Sequence, residues 1–198
     1  MQLNIKGDIK AAEKALGTLK KQVPFAASVA INNTTRDVQK VEHAAAKREL
    51  DEPRTSTIKG IRYQASNKRN LTGAVFVVSH VDKFLRYQIH GGIRRPRASA
   101  EALPVNVRLN RYGNIIGRRQ GKLRKLEARQ DTYRAVIGGV YGLWQRTKKQ
   151  GIRLLVAYEQ RITYRPRFRF YEHAERTVNR RWRRHFETAI QYAIRTAR

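Results

Sequence analysis

The chain has 198 residues and carries 43 Lys and Arg against 15 Asp and Glu, a formal net charge of +28. A compact chain so unbalanced repels itself, which implies an extensive negative partner: nucleic acid, an acidic protein assembly or a membrane surface. The absence of cysteine excludes disulfides and Cys-ligated metals, while 40% hydrophobic residues support a core and exclude wholesale disorder.

The first fifty residues read as helix. Ala11, Ala12, Ala15, Leu16 and Leu19 follow Asp8, a suitable N-cap, at helical spacing. Pro24 is predicted to stand in the first turn of a second helix, where proline is tolerated. That helix carries a sparse apolar stripe of Phe25, Val29, Val38, Val41 and Ala45, and Asp51-Glu52-Pro53 ends it. No apolar leader precedes it, and the longest apolar runs, such as Ala74–Val78, fall far short of the roughly 20 residues that span a bilayer. The expectation is a soluble, intracellularly made protein with no membrane anchor.

In the middle of the chain the period changes. Leu71–Ser79, Tyr133–Tyr141 and Ile152–Tyr158 are β-branched and apolar, and each is predicted as a strand. The polar stretch Gln145–Gly151 suits a hairpin turn between the last two. A small antiparallel sheet of about four strands follows, since no helical crossover connects them. From Gly91 to Arg129, Gly91-Gly92, Pro96, Pro104, Gly113, Gly117 and Gly121 break any period. This segment is predicted as a basic arm or loop insertion, with a short helix at 122–129.

The C-terminal pattern is the most regular. Phe170, Ala174, Val178, Trp182, Phe186, Ala189, Ile190, Ala193 and Ala197 recur every three or four residues, with Arg176, Arg180, Arg183 and Arg198 on the opposite face. A long amphipathic helix is predicted, with Phe170, Val178, Trp182, Phe186 and Ile190 as candidate subunit-packing residues. Truncating Trp182, as a buried aromatic, is expected to disrupt folding or assembly. The fold class is α+β: N-terminal helices, a small antiparallel sheet with a long basic arm, and a long C-terminal amphipathic helix, in one structural domain spanning 1–198.

No catalytic constellation emerges. His43, His80, His90, His173 and His185 lack metal spacing, and the acidic residues form no paired cluster. His185 falls near the apolar face of the last helix and reads as a satisfied, partly buried imidazole, while His90 reads as the cap of a strand end. Gly117–Leu123 has three residues between its glycines instead of four, and Leu123 where Ser or Thr would hold magnesium, so it is not a phosphate loop. No G-x-S-x-G elbow is present. The reading is of a non-enzymatic chain without catalytic residues, metal or cofactor.

The basic clusters carry the functional signal. Arg94, Arg95, Arg97, Arg118, Arg119, Lys122, Arg124 and Lys125 lie in the arm. Arg161, Arg165, Arg167 and Arg169 alternate with Tyr164, Phe168 and Phe170, which places these arginines on one face of an extended strand. Arginine's planar fork suits phosphate or carboxylate. These twelve residues are the candidate contacts for DNA or an acidic partner, and a solvated face tolerated beside acidic neighbours is an equally good account of them. No base-reading motif accompanies them.

The order of elements, with Phe84-Leu85-Arg86-Tyr87-Gln88-Ile89-His90-Gly91-Gly92 near the sheet's start and Arg165-Pro166-Arg167-Phe168-Arg169-Phe170-Tyr171-Glu172-His173-Ala174 opening the last helix, resembles the tail-completion or minor tail protein Z family of tailed bacteriophages. In that family an aromatic-rich strand ends in a glycine turn, and a Pro-x-x-Phe-like element precedes a long amphipathic helix. Tyr87–Gly91 matches the first, with Ile89-His90 where an acidic residue before Gly-Thr is common, and Pro166–Ala174 matches the second. The resemblance implies a structural virion protein, made in the host cytoplasm. Its place would be a homo-oligomeric ring, usually six-fold, at the head–tail junction. Its partners would be the connector, other tail proteins and packaged double-stranded DNA. The alternative is a ribosomal or other ribonucleoprotein component, which shares basic arms and the lack of catalytic residues. A free DNA-architectural protein would need a recognition helix or wedge residues, which are not evident.

Overall fold

A computed structural model of the chain describes residues 6–96, 99–116, 121–148 and 151–196, and within these all side chains except those of 6–16, 18–21, 121 and 122. The fold is α+β, and it divides into two compact units. A helical unit comprises Met1–Glu49, Thr55–Lys83 and Phe168–Arg198; a sheet unit comprises Leu50–Arg54 and Phe84–Arg167.

The helical unit is built on α1 (Lys6–Glu49) and α5 (Phe170–Thr196). Contrary to the expected break, α1 runs through Pro24. An interior proline removes one backbone hydrogen bond and costs about 3 kcal/mol in a helix. The packing around it supplies the compensation: Phe25, Ala26, Val29 and Ala30 meet Phe186, Ala189, Ile190 and Ala193 of α5. The fully buried members of this seam are alanines, whose small side chains let two helix backbones approach closely. On α5, Glu172 in the first turn and Arg195 in the last complement the helix dipole.

The short α2 (Thr55–Lys59) leads into β1 (Ile61–Gln64), which pairs antiparallel with β2 (Ala74–Val77) in the register Ile61↔Val77 to Gln64↔Ala74. Hydrogen bonds tie this hairpin to α1. Gln39 Nε2 donates to the Ile61 carbonyl at 3.0 Å, and a ring nitrogen of His43 lies 2.9 Å from the same oxygen. Ser66 and Asn32 bond reciprocally, at 2.7 Å from the Ser66 amide and 3.1 Å to its carbonyl.

Next comes α3 (Ser79–His90), which contributes buried Val81 to the helical unit and buried Leu85 to the sheet unit. The family resemblance implies an aromatic strand ending in a glycine turn here. The i, i+4 spacing of Val81 and Leu85 wins instead, and Gly91, at φ 71°, ends the helix with its amide on the Tyr87 carbonyl at 3.0 Å. His90 therefore closes a helix, not a strand.

In the sheet unit, β3 (Gly92–Arg94) pairs with β8 (Ile162–Tyr164). The main sheet has the antiparallel order β4-β7-β6-β5, from β4 (Glu101–Pro104), β5 (Thr132–Ile137), β6 (Val140–Arg146) and β7 (Ile152–Glu159). The single strand expected at Tyr133–Tyr141 is two strands joined at Gly138-Gly139. Both glycines take positive φ, 59° and 78°, as a two-residue hairpin turn requires. The second hairpin closes as expected, with the Thr147 amide on the Gly151 carbonyl at 2.8 Å.

The segment 91–129 is more ordered than a loop insertion. It supplies β3, the edge strand β4 and α4 (Gly121–Glu127). Leu123 and Leu126 of α4 pack with Ala102, Val107, Ile115 and Tyr158 on buried Leu143, Leu155 and Val156.

Candidate functional site

The expected basic face does not form one surface of free charge. Arg94 is half-buried, bonds the Tyr164 side chain and sits 3.2 Å from Glu101, so it ties β3, β8 and β4 together. Arg167 pairs with Asp51, and Arg169 lies 3.6 Å from Glu49 while its amide bonds the same carboxylate. The expected strand along 161–169 is confined to Ile162–Tyr164, because Pro166 cannot extend the ladder, while Arg161, Arg165, Arg167 and Arg169 are all exposed and Phe168 and Phe170 are buried. Arg95, Arg124, Lys125, Arg161 and Arg165 are exposed. Arg97, Arg118 and Arg119 lie outside the described residues, as does the side chain of Lys122.

A cavity of about 630 Å³ opens in the sheet unit, lined by Arg94, Glu101, Arg124, Glu127, Arg134 and Tyr158 among others. Its centre is Glu127, which accepts hydrogen bonds from the Tyr158 hydroxyl at 2.5 Å and Arg134 at 2.7 Å. Burial pushes the Glu127 carboxyl up, but the Tyr158 and Arg134 hydrogen bonds and the Arg134 and Arg124 charges outweigh it and hold it below the usual carboxylate range. Burial, then the hydrogen bond and charge of Glu127, push Tyr158 up to about 12. The pair stays as carboxylate and neutral phenol near neutrality and exchanges no proton. It clamps α4 to β5 and β7. Sequence reading missed it because Glu127 and Tyr158 meet only through the tertiary fold.

In the helical unit, α1 and α5 bury Glu42 and His173 beside the partly buried Glu49. Glu42 is fully buried and neither of its oxygens has a hydrogen-bond partner among the described residues. His173 places Nε2 3.2 Å from Glu49 and Nδ1 3.8 Å from Glu42. Burial, then the charge of Glu49, push Glu42 up to about 8. Glu49 is raised by burial too, but hydrogen bonds from Arg48 and the Arg169 amide, with the His173 and Arg169 charges, hold it low. One carboxyl is thus neutral and its neighbour ionised.

The same unit carries an apolar groove of about 430 Å³ between α1, the β1–β2 hairpin and α5. Ile31, Val38, Leu71, Val75, Val178 and Trp182 line it, and no charged residue does. Of the candidate packing residues, Phe170 is buried, and Phe186 and Ile190 pack on α1 within the chain. Val178 and Trp182 remain 41% and 37% exposed, which corrects the expectation that Trp182 is buried. The turn of α5 at 173–177 instead buries His173 and Thr177. His185 is a partly buried imidazole 2.9 Å from Asp37, as its position on the helix predicted.

Among the described residues no His, Asp and Glu gather in a group of three or more suited to a metal ion, and no helix is long and apolar enough to cross a membrane. Comparison of the chain with protein-family models, curated proteins and solved structures finds no match.

Proposed function

We propose that the chain is a structural subunit of a tailed-bacteriophage virion, a tail-completion or neck protein that joins the head connector to the tail as one member of a six-fold ring. The observation that carries this reading is the groove lined by Val178, Trp182, Leu71 and Val75. An exposed apolar concavity marks an interaction site. On a chain of +28 it is also a surface through which like-charged copies can meet without setting charge against charge. Its occupant is therefore a second copy of this chain. A heterologous contact of this kind, repeated with closure, makes a ring.

The remaining charge requires neighbours that are acidic, either packaged double-stranded DNA or other junction and tail proteins. Exposed Arg95, Arg124, Lys125, Arg161 and Arg165 serve those contacts. The role asks for no catalysis and no cofactor.

Mass spectrometry of gradient-purified particles from producing cells tests this. Co-sedimentation with tailed virions at a few copies per particle is the expected result. Finding the chain on ribosomes, or only with free nucleic acid, would replace this reading with that of a ribonucleoprotein component.

A further inference from the structure

Four arginines converge on a cleft in the helical unit that none of the roles above uses. Arg48 stands in the last turn of α1, and Arg176, Arg180 and Arg181 project from α5. With Val41, Thr177 and His173 they line a cavity of about 240 Å³. Arg48 is drawn to Glu49 at 2.8 Å. Arg176, Arg180 and Arg181 make no ion pair or hydrogen bond among the described residues, and all three are exposed.

No acid nearby is paired with them among the described residues. Glu42 is sealed beneath the cleft, and Glu49 is already held by Arg48, by Arg169 and by His173 Nε2 at 3.2 Å. On α5 itself Glu172 and Glu175 make no ion pair with the cluster, and Glu187, beyond it, is taken by Arg183 at 2.7 Å. Three unpaired guanidinium groups around one concavity repel one another, and an anion seated among them relieves that repulsion.

We propose that this cleft is a phosphate-binding site for the backbone of nucleic acid. Arginine forks bind phosphate oxygens in pairs. Arg176 and Arg180 are one helical turn apart, a rise of about 6 Å, and Arg184 continues the series beyond them. Charges repeated at each turn of a helix suit the repeated charges of a strand. An acidic peptide would want apolar side-chain pockets beside the charge, and Val41 is the one aliphatic side chain in the lining. The contact is to phosphate, so it carries no sequence preference. It stands whether or not the chain forms a ring.

The test is fluorescence anisotropy of the full chain with a labelled duplex DNA of arbitrary sequence, across a salt series. Three phosphate contacts contribute about 2.7 to the slope of log affinity against log salt. The variant R176Q/R180Q/R181Q is expected to lose about that much slope and at least tenfold in affinity. R108Q/R146Q/R153Q removes the same charge from exposed positions of the sheet unit that carry no binding role, and is expected to lose clearly less. Equal losses in the two triple variants would mean bulk charge alone and overturn the site, as would an unchanged slope in the first. R176K/R180K/R181K keeps the charge and the helix, so it guards against a folding defect; it is expected to keep the slope while losing affinity. Poly-glutamate binding that depends on these arginines, with DNA binding unaffected, would assign the cleft to an acidic protein instead.

Discussion

The sheet unit and the helical unit pack in opposite ways, and each pairs some of its cations and leaves others free. In the sheet unit, Arg94, Arg129, Arg134 and Arg167 are paired with Glu101, Asp131, Glu127 and Asp51. Its core is aliphatic, with Leu143, Leu155 and Val156 at the centre. In the helical unit, Arg176, Arg180 and Arg181 have no carboxylate partner among the described residues, the helix seam is alanine, and Glu42, His173 and Thr177 are buried elsewhere in the unit. Large side chains such as Trp182 are left at the surface. A seam of small residues brings helices close but buries little apolar area per residue. Net charge is a poor guide to where a chain binds: what matters is which cations the fold leaves unpaired and whether they converge on one concavity, as Arg176, Arg180 and Arg181 do.

The largest expected effects come from truncating the central residue of each unit. Phe168, 1% exposed and edge-on to Phe170 at 5.8 Å, anchors the helical unit. Phe168→Ala should cost about 3–5 kcal/mol, and Leu143→Ala in the sheet unit about 2–5 kcal/mol. The two tryptophans report separately, Trp182 from the helical unit and Trp144 from the sheet unit. Denaturant titration of W144F and W182F backgrounds should show F168A shifting the Trp182 transition most and L143A the Trp144 transition most. Identical shifts of both probes by both variants would mean that the two cores unfold as one.

Glu42 gives the next effect. Its carboxyl titrates at about 8 in the folded chain, against an ordinary value of 4.5. Between those values the folded chain keeps a proton that the unfolded chain has released, so stability falls as pH rises across the window and is level above it. Glu49, held low, acts in the acid range with the opposite sign. Glu42→Gln cannot ionise. Relative to the native chain it should gain stability from pH 5 to pH 8.5, by an amount on the order of 4 kcal/mol. Parallel melting curves for the two proteins across that range would show that Glu42 stays ionised in its burial site.

Much of this architecture was legible in the sequence, and the failures have local causes. The period of Phe170–Ala193 fixed α5, but not which edge of its apolar stripe would be buried, because His173 turns inward onto Glu42 and Glu49 of α1, Thr177 is buried one turn on, and Val178 is left out. The turn at Gly138-Gly139 was hidden inside a continuous apolar run, although two glycines between β-branched residues are themselves a hairpin signal. β4 could not be read, since Glu101 meets its partner Glu159 only in the folded sheet. Pro104 marked that segment as a breaker, yet an edge strand accommodates it. Of the site, the arginine types were legible and their pairing was not: Arg94 and Arg134 look alike in sequence to Arg176 and Arg180.

The smallest effect on folding, and the sharpest test of the groove, is Trp182→Ala. The indole stacks on Phe186 at 5.6 Å but is 37% exposed, so part of its surface is already in water in the isolated chain. Loss of the stack and of the buried part should cost about 1–2 kcal/mol, well below the cost of Phe168→Ala. If a second copy fills the groove, the remainder of that indole is buried in the contact, and a large aromatic at the centre of an interface carries a disproportionate share of its energy. Sedimentation velocity across a concentration series should then show W182A folded but shifted toward monomer. A variant that unfolds outright would mean Trp182 belongs to the core after all. One that folds and associates as the native chain does would mean the groove is not where copies meet.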